Sequence, residues 1–321
     1  MAVYTKIGDQ ELRLYLEQYD IGEAHALKGI AEGVENSNFI LSTDAGMYIL
    51  TLYEKRVKLE DLPFFLGLME HLAKQNFPCP QPIELKNGET LSTLANRPSA
   101  IISFLDGNSV NLPEISHCEQ VGEALAQMHL AGEGFTISRP NGLTVGDWRP
   151  LYEWSKDRAN SVATGLSDMI EEELTLLENA WPNDLPAGII HADLFPDNVF
   201  FLKDEFSGMI DYYFACNDLL AYDLAICINA WCFEPDFSFN ADKTRALVEG
   251  YERARKLSNQ ELEYLPLLCR GSALRFLLTR LYDWLNVPEG ALVVPKDPLE
   301  YIEKLRFHQS ITSVSGYGIK L

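Results

Sequence analysis

Along its first hundred positions the chain alternates apolar and polar residues in short runs, and beyond them it settles into helical spacing. Leu12, Tyr15, Leu16 and Tyr19 recur at i, i+3, i+4 and i+7 behind Asp9, an acidic N-cap, which predicts a short amphipathic helix. Residues 24–30, 37–42 and 47–53 read as strands separated by the turn-compatible AEGVEN and TDAG, the spacing of an antiparallel meander. A helix over 60–76 stops near FPCPQP, because proline cannot continue it, and TLSTLA and SAIISFL supply two further strands. After residue 106, Ser116 with Glu119 reads as a capping box ahead of Val121, Ala124, Leu125 and Met128. Ser258 with Glu261, and Asp297 with Pro298 and Glu300, announce later helices in the same way. The pattern predicts an α+β protein with a small antiparallel-sheet region over 1–105, joined near 103–109 to a larger, mainly helical region over 106–321.

Composition narrows the partners. With 47% apolar and 23% charged residues the chain has the usage of a folded globular protein. A formal net charge of -21 argues against nucleic acid and anionic membranes, which are held by lysine and arginine displacing counterions. The six cysteines are scattered without metal-type or redox-type pairs, so buried free thiols are expected. The N-terminus lacks an apolar signal core, and the longest greasy run, LLAYDLAICINAWCF, is interrupted by Asp223 and Asn229 and is too short to span a bilayer. A reducing cytoplasm fits these features.

The candidate chemistry lies in IIHADLFPDNVFFLKDEFSGMIDYYF, residues 189–214. VFFL (199–202) and GMID (208–211) read as strands joined by the five-residue connection KDEFS; pairing Leu202 with Gly208 would set Asn198 beside Asp211 at the open end of the hairpin. One carboxylate and one amide oxygen suit magnesium, a hard ion that keeps waters and takes further ligands from substrate phosphates. Asp193, on the loop just upstream, is placed to accept the proton of an attacking hydroxyl.

HADLFPDN followed by IDYY resembles the H-x-D-x-x-x-x-N catalytic loop and later metal-binding aspartate of the kinase-like fold, in the form found in aminoglycoside and choline phosphotransferases. The resemblance implies a bilobal protein-kinase-like architecture. Asp193 would be the catalytic base, His191 a scaffold residue of the catalytic loop, and Asn198 and Asp211 the magnesium ligands. YDLA (222–225) resembles the element that follows the metal aspartate, making Asp223 a structural brace of the loop, and ALAQMH (124–129) resembles the helix beneath it, where His129 reads as a satisfied core residue. GVENSNFIL, YILTLYE, HADLFPDNVFF, YDLAICINAWC, LRFLLTRLYD and DPLEY are similar to the bacterial type II homoserine kinases over nearly the whole chain. That likeness implies ATP and L-homoserine as small-molecule substrates and magnesium as cofactor; it does not give the oligomeric state.

In such a fold adenine meets the backbone of the connecting strand, here Ser103 to Leu105. The first hairpin, with Gly33, Ser37 and Asn38, would cover the phosphates through backbone N–H groups. Ile49 and Thr51 would line the same face of the third strand. The usual strand lysine and helix glutamate are both missing, since their slots hold Thr51 and Phe65; losing both members strands no charge. Lys55 and Arg56 are candidates to meet the phosphates instead.

The acceptor's carboxylate calls for a guanidinium. Arg270, Arg275 and Arg280 sit on an apolar helix pattern, and Arg275 interrupts it most sharply, with a structural salt bridge as the competing reading. Trp148 and Asn229 are further substrate-pocket candidates. A kinase for choline or an aminoglycoside, and a nucleotide-binding module without chemistry, are the rival functions.

Overall fold

Period-two alternation builds the first sheet. The computed structural model describes residues 5–30, 36–54, 57–287 and 295–320, and the contacts of these residues divide into two units, one formed by those up to Asp106 with Gly208–Ile210, the other by Gly107–Ser207, 211–287 and 295–320. In the first unit, β1 (Ala24–Gly29), β2 (Asn36–Thr43), β3 (Gly46–Tyr53), β4 (Ser92–Leu94) and β5 (Arg97–Ser103) form an antiparallel sheet in the order β1-β2-β3-β5-β4. Phe39, Leu41, Leu50, Leu52 and Ile101 point to one face and are buried with Leu12, Tyr15 and Leu16 of α1 (Asp9–Leu16). The alternate residues occupy the other face, where the register sets Ile40 against Ile49 and Ile49 against Ile102, and Asn38 against Thr51. α2 (Leu62–Lys74) buries Phe64, Phe65, Leu68 and Leu72 along one stripe. Helix α1 is preceded by Gly8, so Asp9 is its first residue rather than its cap.

The second unit is built around α6 (Leu220–Trp231), which is buried on nearly every side, and α8 (Asn259–Leu285), whose stretch from Leu265 to Leu281 is largely buried. α3 (Ile115–Ala131) lies against α7 (Ala241–Ala254), while α4 (Val145–Glu153), α5 (Leu166–Ala180) and α9 (Leu299–Gln309) complete the helical set. Where α3 meets α7 the main chains touch: a Cβ added at Gly122 would overlap the carbonyl oxygen of Leu247, and one at Gly250 that of Glu119. Only glycine fits there. The capping box of α3 is made by Glu114 and His117, not by Ser116 and Glu119. That of α8 uses Ser258 and Glu261 as the spacing predicts, and Asp297 Oδ1 accepts the N–H of Leu299 at the start of α9.

Two ribbons position the chemistry. β6 (Ala187–Ile190) pairs antiparallel with β9 (Cys216–Leu219), with Ile190 opposite Cys216. The chain leaving β6 and the chain entering β9 therefore run out of the same end side by side. β7 (Val199–Leu202) and β8 (Glu205–Met209) form the second ribbon. Its turn is the two residues Lys203 and Asp204, both with positive φ (55° and 65°), the geometry of a type I′ hairpin. Glu205 thus follows the turn opposite Leu202, which replaces the expected pairing of Leu202 with Gly208.

Candidate active site

The loop from His191 to Asn198 is held at four successive residues. The Asp223 carboxylate on α6 accepts the N–H of His191 at 2.7 Å and of Ala192 at 2.9 Å. Two consecutive N–H groups converge on one carboxylate because Ala192 adopts a left-handed conformation, φ 63°. Asn198 Nδ2 donates to the carbonyl of Asp193 at 2.8 Å, and Trp231 Nε1 to that of Leu194 at 2.8 Å. Although burial raises the Asp223 carboxyl, its hydrogen bonds from His129 and His191 hold it below the usual carboxylate range.

Asp193 has its backbone fixed in this way and its side chain 22% exposed. Burial pushes its carboxyl up, with Arg275 and His191 acting in the opposite direction. Arg275 Nη1 lies 3.7 Å from Asp193 Oδ1. The Arg275 guanidinium is buried, lies 3.9 Å from the centre of the Phe276 ring and 5.6 Å from that of Phe214, and its Nη1 has no hydrogen-bond partner among the described residues.

Asn198 has committed its amide nitrogen to the loop, which leaves the amide oxygen as its donor to a cation. Asp211 is exposed, sits at φ 65° ahead of the turn Tyr212–Phe214, and is followed by the buried Tyr212, whose ring lies 5.0 Å from that of His191. The β6–β9 register starts the His191 loop and ends the Asp211 turn beside each other, at the pair Ile190 and Cys216. Among the described residues no cluster of three or more His, Cys, Asp and Glu forms a closed cage. The amide oxygen of Asn198 and the carboxylate of Asp211 are the hard-oxygen groups of these two segments, the ligand type that suits magnesium.

Two substrate-pocket expectations are corrected. Trp148 is fully buried, donates Nε1–H to the Leu143 carbonyl at 2.7 Å and packs edge-on against Trp181. Asn229 is equally buried and fully committed: Nδ2 donates to the carbonyls of Ala225 and Cys269, both at 3.1 Å, and Oδ1 lies 3.0 Å from His308 Nε2. Neither has an edge left for a ligand. Arg270 is taken by Glu173 and Arg280 by Glu300. The sequence reading missed Phe214 and Phe276, which flank Arg275, and only the position of Trp231 on the helix of Asp223 could have hinted at its hold on the loop.

In the first unit, Thr51 Oγ1 donates to Asn38 Oδ1 at 2.8 Å, and Phe65 is buried in its helix stripe. The absent lysine and glutamate are thus replaced by a neutral hydrogen bond and an apolar contact. Ile40, Ile49 and Ile102 remain half-buried in a row across three strands. Ser37 Oγ donates to Glu54 at 2.8 Å. The N–H of Ser103 is already given to Gln81, whereas no described hydrogen bond occupies the main chain of Leu105. Gly33, Lys55 and Arg56 lie outside the described residues. All six cysteines are buried and free.

A sequence model of the phosphotransferase enzyme family matches residues 26–257. Over 319 residues the chain is 61% identical to a homoserine kinase of Agrobacterium fabrum, covering 99% of each. Over 320 residues it is 60% identical to a homoserine kinase of Rhizobium meliloti, covering 100% of this chain and 98% of the other. Among solved structures an amicoumacin kinase shares the fold with a TM-score of 0.70 at 12% identity, over 95% of this chain and 94% of its own.

Proposed function

We propose how a chain that belongs to the phosphotransferase enzyme family, and within it to the homoserine kinases, uses these residues. The enzyme is an ATP-dependent kinase of protein-kinase-like fold that converts L-homoserine to O-phospho-L-homoserine, a step toward threonine. Asp193 accepts the proton of the homoserine hydroxyl as that oxygen attacks the γ-phosphorus and the bond to the ADP oxygen breaks. Burial favours this role, because a carboxylate pushed up is a stronger base. Arg275 holds the homoserine carboxylate through Nη1, which has no hydrogen-bond partner among the described residues; this buried nitrogen, 3.7 Å from Asp193 Oδ1, is the observation that carries the assignment.

Asn198 and Asp211 would hold magnesium, which when bound neutralises phosphate charge. For the nucleotide, the half-buried row through Ile49 offers an apolar strip, and the open main chain of Leu105 suits hydrogen bonding to a purine edge better than that of Ser103. Asn38 and Thr51 lie on the same face of those strands, whereas Ser37 is buried on the opposite face, level with Leu52, and bonded to Glu54, which removes it from the nucleotide surface. The reaction is assigned to the cytoplasm, in keeping with buried unpaired thiols.

Asp193→Asn should lower kcat about a hundredfold or more while the Tm stays within a few degrees of wild type. Turnover within a few fold of wild type would remove Asp193 from the role of base.

A further inference from the structure

Behind Asp223 runs a line of buried polar groups that contacts no reacting atom. His129 Nε2 lies 3.1 Å from Asp223 Oδ2, and His129 Nδ1 lies 2.8 Å from the Tyr251 hydroxyl. Arg255 Nη1 donates to that hydroxyl at 3.1 Å, and Arg255 Nη2 is ion-paired at 2.8 Å with Glu261, the capping-box residue of α8. His129 and Asp223 have fully buried side chains, and Tyr251 is buried as completely. Water therefore cannot make up a mismatched donor or acceptor between Asp223 and Tyr251.

The donor inventory fixes every proton in it. Arginine has donors only, so the Tyr251 oxygen accepts from Arg255 and its own hydrogen is left for His129 Nδ1. Nδ1 must then be the acceptor nitrogen, which places the ring hydrogen on Nε2. Nε2–H faces the Asp223 carboxylate, itself acceptor-only when ionised, and Asp223 is left to receive the N–H groups of His191 and Ala192. The opposite tautomer would turn a lone pair toward a carboxylate and leave the Tyr251 hydrogen without an acceptor. A doubly protonated ring would strand the same hydrogen.

We propose that Tyr251 and Arg255 are positioning residues of the kinase reaction: they fix His129 as its Nε2–H tautomer and thereby hold the catalytic loop onto Asp223. The inference rests on the reading that residues 191–198 carry the base. Its effect reaches turnover rather than binding, because the line ends on the loop backbone and touches neither substrate. Removing Tyr251's hydroxyl leaves Nδ1 free to take the ring hydrogen, and the loop then samples positions that put Asp193 off line.

Nitrogen-15 NMR of the full-length wild-type enzyme, with the His129 signal identified by its loss in His129→Gln, should show a neutral ring protonated at Nε2. Tyr251→Phe should lose that single-tautomer signature and lower kcat about fivefold, with KM for ATP and homoserine within about twofold of wild type. Arg255→Lys, which keeps a donor and the charge facing Glu261, should recover most of kcat. A wild-type ring protonated at Nδ1 or at both nitrogens overturns the proposal, as does an unchanged kcat in Tyr251→Phe or a loss carried by KM. Should Tyr251→Phe fail to fold, the wild-type spectrum alone decides. Asp193→Asn separates the two readings: retained turnover there removes the base but leaves the spectrum of His129 untouched.

Discussion

Arg270 and Arg275 stand on the same helix and end in opposite states. Arg270 closes a fork on Glu173, with bonds of 2.6 and 2.7 Å, and Gln309 adds a third bond to the same carboxylate at 2.9 Å. Arg275 has two phenyl rings, an aspartate at 3.7 Å and an unsatisfied nitrogen. A buried charge whose partners are complete holds elements together. Arg275, whose Nη1 lacks a hydrogen bond among the described residues, is the one of the two that we propose to meet the substrate.

The comparison can be broken in three ways. Arg270→Met leaves Glu173 buried and unpaired, so chemical denaturation should show a loss of about 3 kcal/mol, while turnover of the folded fraction is unchanged. Adding Glu173→Leu should restore most of that loss. Arg275→Met should do the reverse: kcat/KM for homoserine falls about a hundredfold, stability stays within about 1 kcal/mol of wild type, and discrimination against amino alcohols lacking a carboxylate narrows. A large drop in stability with normal kinetics would make Arg275 a second Arg270.

The third test uses His308, whose two ring nitrogens are met by Tyr317 at 2.7 Å and Asn229 at 3.0 Å. Burial, then the charges of Lys304 and Arg270, push this imidazole down from 6.5 to about 3. Between those values the unfolded chain takes up a proton that the folded chain does not, so stability rises with pH across that window. The contribution is complete above the unfolded value and is lost as the pH falls toward the folded one, by at most about 1.4 kcal/mol per pH unit. Urea midpoints of His308→Gln should show a shallower pH slope there, with turnover at neutral pH unaffected; an unchanged slope would mean that His308 does not titrate differently on folding.

The legible parts of this molecule are the local ones. Strands with period-two alternation, the Ser258–Glu261 cap and the run His191 to Asn198 carry their signal within a few residues, and all appear where the pattern puts them. The turn at Lys203 and Asp204 is not legible in this way, because it places two non-glycine residues at positive φ, so five polar residues read as the connection. Glutamate is an uncommon cap, so Glu114 carries no cap signal in the sequence. The three arginines of α8 look alike in sequence. What distinguishes them is a glutamate 97 residues from Arg270 and another 20 residues from Arg280, separations that no local pattern encodes. Trp148 and Asn229 mislead for the same reason, since a polar atom in an apolar run says that a partner exists and not whether it is protein or ligand.

The glycine contact between α3 and α7 bears on all of this. Gly250 immediately precedes Tyr251 in the chain, and its helix rests on the carbonyl of Glu119 with no side chain between. The depth at which the phenol hydroxyl meets the imidazole is therefore gauged from peptide planes, which do not change rotamer or swell when a neighbouring side chain is replaced. Ordinary sequence drift in the surrounding core can come and go without detuning that spacing, whereas a single methyl group at either glycine would wedge the helices apart.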